Sequence, residues 1–221
     1  MTPFGLGVTA IAAYNVARHI DVAVEHPERF PRHGPVLLAP RHYHHLWDGC
    51  ALVWGLPRQT HVFVALDWTA SPWERLLMET VCNLADFPIA LRADNLNSGA
   101  SAFSREEIRR YVRRSIAKGA DLLRRGQVLT VFPEGYPTID PHGARKNADG
   151  WLPFRAGVLA VAAAAQRDGG PAVPILPVGL RYEPAGARTR VTVVLGEALR
   201  LGANRAALLA ELETRVRELS R

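Results

Sequence analysis

Cysteine is scarce. Cys50 and Cys82 are the only two in 221 residues, and one pair does not make the disulfide framework of a small secreted scaffold. Both sit in apolar stretches, which predicts buried free thiols in a reducing compartment. No run approaches the ~20 consecutive apolar residues that cross a bilayer. Residues 2–14 are apolar but lack a basic leader and are interrupted by Gly5 and Gly7, so they read as neither signal peptide nor transmembrane anchor. The G-x-S-x-G elbow of the α/β-hydrolases is absent, as are a P-loop and a glycine-rich dinucleotide fingerprint. Internal repeats, low-complexity tracts and composition shifts are also missing, so residues 1–221 are expected to form a single domain.

What is present is an ordinary globular composition, 48% hydrophobic and 22% charged, with 27 Lys and Arg against 21 Asp and Glu. The net charge of +6 favours anionic partners. Nucleic acid is not expected among them, because no helix-turn-helix, RNA-binding or zinc-finger pattern occurs. Short β-branched runs alternate with longer helical periods, the pattern of an α/β domain whose sheet is mixed, mostly parallel, and flanked by helices. Strands are expected at 20–24, 35–39, 61–66, 87–91, 128–132, 173–180 and 190–195. Helices are expected at 3–18, 46–55, 72–82, 104–125, 154–167 and 205–219. Ser71, Ser104 and Asn204 are the caps, and Glu107 completes a capping box with Ser104. Gly119 is an irregularity within the 104–125 helix.

The densest cluster of chemistry is RHYHHLWDG, residues 41–49, directly after the 35–39 strand. Loops at the C-terminal ends of strands are where α/β sheets bind ligands. A histidine with an aspartate on its far nitrogen is the general-base half of a triad, since the carboxylate fixes the tautomer and steadies the imidazolium. Three readings stand beside one another: capping or surface histidines, a zinc site built on His44 and Asp48, and a catalytic base. The zinc reading lacks a third ligand at metal spacing. No enzyme nucleophile accompanies the base, which suits direct activation of a substrate hydroxyl.

Four boxes in order extend this reading. After the preamble IDVAVEHPERFPRHGPVLLAPRH come RHYHHLWD, FPIALR (87–92), VFPEGYPT (131–138) and VPILPVGL (173–180), with WLPFRAGVLAVA (151–162) following the third. Over nearly its whole length the chain resembles the glycerophospholipid acyltransferases of the lysophosphatidic acid acyltransferase type. The resemblance implies a glycerol-3-phosphate acyltransferase-like fold and acyl transfer from acyl-CoA or acyl-carrier protein, as co-substrate, to a lysophospholipid hydroxyl in phospholipid biosynthesis. It implies no metal and no cofactor. It also implies a peripheral position on the cytoplasmic face of the cell membrane. A thioesterase-type hydrolase and a catalytically silent lipid-binding module are the rival functions.

Two departures from the family pattern matter. The first box is not His-x4-Asp: five residues separate His42 from Asp48 and three separate His44 from Asp48, with Tyr43 where strict spacing asks for histidine. His42 is the first candidate base. His44 is the alternative, as an i,i+4 partner of Asp48 on a helix. The third box reads Glu134-Gly135-Tyr136-Pro137-Thr138, without the family's arginine. Arg92, Glu134 and Gly135 are the expected substrate contacts, with Arg145 and Lys146 of the loop GARKNADG as replacements and the backbone around Gly135 as an oxyanion donor.

Two further features bear on partners. The 104–125 helix carries eight basic residues, read as a solvated face or a phospholipid-facing patch. Trp47, Trp54, Trp68 and Trp73 crowd the first box, read as core packing or as rings at a membrane–water boundary. Residues 1–19 are expected to form an N-terminal helix, either packed on the core or touching the membrane.

Overall fold

The computed structural model describes residues 3–69, 71–91, 104–140, 146 and 150–221. Its strands are β1 (Ile20–Glu25), β2 (Val36–Pro40), β3 (Thr60–Val62), β4 (Val64–Ala65), β5 (Ile89–Ala90), β6 (Val128–Thr130), β7 (Ile175–Ala185) and β8 (Arg188–Leu195). Its helices are α1 (Pro3–Arg18), α2 (Trp47–Gly55), α3 (Pro72–Leu84), α4 (Arg105–Arg124), α5 (Gly157–Gln166) and α6 (Arg205–Leu219). Six strands form one sheet in the order β1-β8-β7-β2-β6-β3, while β4 and β5 pair separately. All pairings are parallel except the β7–β8 hairpin, so the sheet is mixed and mostly parallel, as expected.

Strand β2 lies inside the sheet and every one of its residues is buried, as a parallel strand covered on both faces requires. Its side chains divide by the two-residue period of a strand. Leu37 and Ala39 join residues of α4, α5 and α6 in one core. Val36 and Leu38 join Ala12 of α1 and Cys50, Ala51 and Leu52 of α2 in the other. Each fully buried leucine contributes about 1.5–3 kcal/mol. The result is a three-layer domain with helices on both faces.

The helix starts follow their caps. Ser71 with Glu74 and Ser104 with Glu107 form complete capping boxes, and Asn204 accepts the Ala207 N–H at 3.0 Å. Gly119 has a packing reason: a Cβ there would stand 2.9 Å from Phe63 Cε2 and 3.0 Å from Val161 Cγ1. The bare backbone lets α4 close onto Phe63 and α5.

Among the boundaries that differ from the expected ones, three have a cause visible in the hydrogen bonds and turns. The 61–66 strand divides at Phe63, where the chain changes partners. The Phe63 N–H donates to Thr130 O at 3.0 Å and the next N–H, of Val64, donates to Pro88 O at 3.0 Å. The helix expected from 154 starts at Gly157 because its earlier amides bond elsewhere: Phe154 N–H to Glu213 and Arg155 N–H to Pro133 O. The strand expected to stop at 180 runs to Ala185, where Gly186, at φ +67°, turns the hairpin.

Candidate active site

Strands β2 and β6 are parallel neighbours, so their C-terminal ends share one edge of the sheet. The chain after β2 carries His42 and the chain after β6 carries Phe132 and Glu134. Asp48 lies in the first turn of α2, fully buried, where the helix N-terminus favours a carboxylate. His42 Nδ1 donates to Asp48 Oδ2 at 2.8 Å. The same oxygen accepts the backbone N–H of Tyr43 at 2.7 Å and of His44 at 3.0 Å. The other oxygen accepts the Tyr182 hydroxyl. An ionised carboxylate only accepts, so in the neutral ring the proton sits on Nδ1 of His42 and the lone pair on Nε2. That is the tautomer of a general base.

His42 is fixed on every side. Its ring stacks on Phe132 with centroids 4.1 Å apart. Its N–H donates to Glu134 Oε1 at 2.7 Å. Its carbonyl accepts both the N–H of Thr138, at 2.8 Å, and the Thr138 hydroxyl, at 2.9 Å. The third box therefore clamps the backbone of the first from both directions.

His44 is placed differently. Helix α2 begins at Trp47, so His44 precedes it and shares no helical face with Asp48. Its Nδ1 accepts the N–H groups of Leu46 and Trp47 at 3.2 and 3.3 Å, and its ring stacks on Trp47 at 4.2 Å. It caps the opening turn of α2, which was one of the three readings of the cluster. Burial lowers its pKa, in keeping with a neutral ring whose Nδ1 accepts.

Glu134 is 1% exposed, and burial raises its carboxyl to about 7. Its Oε2 has no hydrogen-bond partner among the described residues. The Arg41 guanidinium, wedged against Trp151 at 4.3 Å and Tyr43 at 5.0 Å, is the positive charge that most favours its ionised form. Burial in turn lowers the pKa of Arg41. Gly135, at φ +75°, closes the turn by donating its N–H to Phe132 O at 3.1 Å. That amide is engaged within the turn. A Cβ at Gly135 would stand 3.0 Å from Arg155 Nε, so the turn presses against a guanidinium.

The structure thus gathers His42, Asp48, Glu134 and Gly135. Lys146 is exposed. Arg92 and Arg145 lie outside the described residues. The sequence reading missed Tyr182, Phe132, Thr138, Arg41 and Arg155. Thr138 and Phe132 are inside the quoted third box and Tyr182 follows the fourth by two residues, but nothing in their spacing tells which atom each reaches. Both thiols are buried and pushed up to about 11, far from the reactive range. Among the described residues, no cluster of three or more histidine, cysteine or acidic side chains is arranged to hold a metal.

Tyr182 gives the site a direct test. Tyr182→Phe removes a donor from a fully buried carboxylate oxygen and is expected to cost about 1–3 kcal/mol. Urea unfolding of the two proteins measures it; equal stability would show that the hydroxyl does not support Asp48.

Comparison with known proteins bears on what this edge of the sheet does. A search of curated proteins finds no match. Among solved structures, the fold is similar to that of the 1-acyl-sn-glycerophosphate (LPA) acyltransferase PlsC from Thermotoga maritima, with a TM-score of 0.58 and 18% identity, over 97% of this chain and 77% of that one. A family model described as Acyltransferase matches residues 21–181, a span that takes in the His42–Asp48 pair and the Glu134 clamp and ends one residue before Tyr182. With the fold and that span in agreement, the chain belongs to the acyltransferase family.

Proposed function

We propose that the chain moves a fatty acyl group from acyl-CoA or acyl-carrier protein to the hydroxyl of a lysophospholipid such as 1-acyl-glycerol-3-phosphate. It would do so in phospholipid biosynthesis, as a peripheral protein on the cytoplasmic face of the cell membrane. The observation that carries this reading is the 2.8 Å hydrogen bond from His42 Nδ1 to the buried Asp48 carboxylate, which leaves Nε2 as the acceptor for a proton. His42 Nε2 takes the proton of the acceptor hydroxyl as its oxygen attacks the thioester carbonyl. Asp48 stabilises the imidazolium that results. As the tetrahedral intermediate collapses, the C–S bond breaks and the departing thiolate takes the proton from His42. The ester bond forms, the thiol leaves, and the base returns to its starting state.

Arg155, beside the third-box turn and over the Tyr136 ring at 5.4 Å, supports an anionic acceptor headgroup. It brings to this turn the guanidinium that EGYPT itself lacks, and a guanidinium suits phosphate geometry. The test is a panel of lysophospholipids with labelled acyl-CoA and acyl-carrier protein, read by product mass. A diacyl product that depends on acceptor is expected. Thioester loss that needs no acceptor would identify a hydrolase instead, and no turnover across the panel would identify a binding module.

A further inference from the structure

Helix α3 is amphipathic in the reverse sense to a normal surface helix. Arg75 and Glu79 face the protein: Arg75 Nε donates to Glu79 at 2.8 Å, and both engage Tyr111 of α4, while Glu74, Thr80 and Asn83 are exposed. Met78 and Cys82 lie on the same inward side, packed with Ile108 and Tyr111. The opposite side carries Trp73, Leu76, Leu77, Val81 and Leu84, at the three- and four-residue spacing of one helical face. Those five are exposed, Trp73 by 73% and Leu76 and Leu77 by more than half. Most surface helices turn such a stripe inward. Contiguous exposed apolar patches of this kind mark interaction surfaces.

The neighbourhood identifies the partner. Trp68, 57% exposed, stands in the turn before α3, so two exposed tryptophans bracket the helix start. Indole rings favour the boundary between headgroups and acyl chains. On the flank where α4 meets α3, Arg114 lines a cleft with Glu79 and Asn83, and Arg110 lies close enough to act on Glu107 together with Arg75. Both arginines are exposed. An apolar stripe with tryptophan at its start and arginine along its side complements an anionic lipid surface. It does not suit a second copy of this basic chain, which would bring like charge to like. The topology also fits. Strand β3 ends on the same sheet edge as β2 and β6, and Trp68 and Trp73 follow from that end, as His42 and Glu134 do from theirs.

We propose that the outward face of α3, with Trp68 and the Arg110–Arg114 flank, docks on an anionic phospholipid surface and holds the active-site edge toward it. This rests on the acyl-transfer reading for its purpose but not for its test. The full-length protein is sedimented with phosphatidylcholine vesicles, with and without phosphatidylglycerol. Trp73→Glu combined with Leu77→Glu places two charges on exposed positions, and an unchanged thermal midpoint checks the fold. Partition into phosphatidylglycerol vesicles is expected to fall by about tenfold or more. Ile11→Glu on α1, also at an exposed position, is expected to leave it unchanged. Arg110→Ser with Arg114→Ser is expected to abolish the preference for anionic vesicles while keeping the fold.

Several results would overturn the assignment. They are wild-type protein that ignores vesicles, an α3 variant that partitions normally, loss of binding in Ile11→Glu in place of the α3 variant, and a dimer that dissociates in the α3 variant without any change at vesicles. Acyl transfer is followed separately with acceptor in detergent micelles. If wild-type protein gives no product there, the functional reading fails while vesicle partition still judges the docking face.

Discussion

His42→Ala is expected to lower acyl transfer by about 10²–10⁴-fold, the usual contribution of a positioned general base, while the protein remains folded. The substitution removes the imidazole that donates to Asp48 at 2.8 Å and stacks on Phe132. It leaves the backbone N–H on Glu134 and the carbonyl on Thr138. Asp48 keeps three of its four donors, Tyr43 N–H, His44 N–H and the Tyr182 hydroxyl, so the loop has little reason to move. The loss should fall on kcat, because the histidine acts on the proton in flight and not on the bound headgroup. His44→Ala should behave in the opposite manner, costing stability through the α2 cap with a smaller effect on turnover. Measuring kcat and thermal midpoint for both variants decides between them. If His44→Ala proves the inactive one, the assignment of the base is wrong.

The second large effect is on stability and concerns pH. Glu134 is held near 7 in the folded protein against an ordinary 4.5, because burial penalises its charge. Between those values the native state holds a proton that the unfolded chain has released. Stability is therefore full below about pH 4.5 and declines as pH climbs to about 7, after which this contribution is flat. The span corresponds to roughly 3 kcal/mol. Glu134→Gln keeps an oxygen for the His42 N–H and never ionises, so it should flatten the decline and gain up to that amount at pH 8. Glu134→Ala should instead lose stability at every pH, since it strips the acceptor from a clamped amide and opens a void. Urea unfolding of the three proteins at pH 5 and pH 8 provides the test. A wild-type protein more stable at pH 8 relative to Glu134→Gln than at pH 5 would contradict it.

Much of the architecture could be read from residue order because the signals were local. Serine three residues before glutamate at 71–74 and 104–107 makes a capping box wherever a helix follows. Asn204 sets the start of α6 in the same way. An apolar run such as VLLA ends up inside a parallel sheet because no face of it tolerates water. The chemistry was less legible. Whether His42 or His44 meets Asp48 depends on the path of a six-residue segment, and the spacing argument for His44 assumed a helix that starts three residues later. Tyr182 lies 134 residues from the carboxylate it binds, and a pairing of that reach leaves no trace in spacing. Phe63 ends a strand only because its neighbour changes. Periodicity finds the apolar face of α3 but is blind to its direction. Of the two readings of the tryptophans near the first box, core packing fits Trp47, which lies partly buried against the core, and does not fit the exposed Trp54, Trp68 and Trp73.

The way Asp48 is held explains how a loop one residue longer than the family's can still bring acid and base together. Two consecutive main-chain amides grip the same carboxylate oxygen that the imidazole meets. The anchor is thus the peptide backbone, common to any sequence, and slack in the connection is taken up between that grip and the first turn of α2. Distance along the chain is then a loose proxy for distance in space. A search that insists on four intervening residues would pass over relatives built in this manner, whereas one that asks for a buried aspartate near the start of the helix after the second strand would retrieve them.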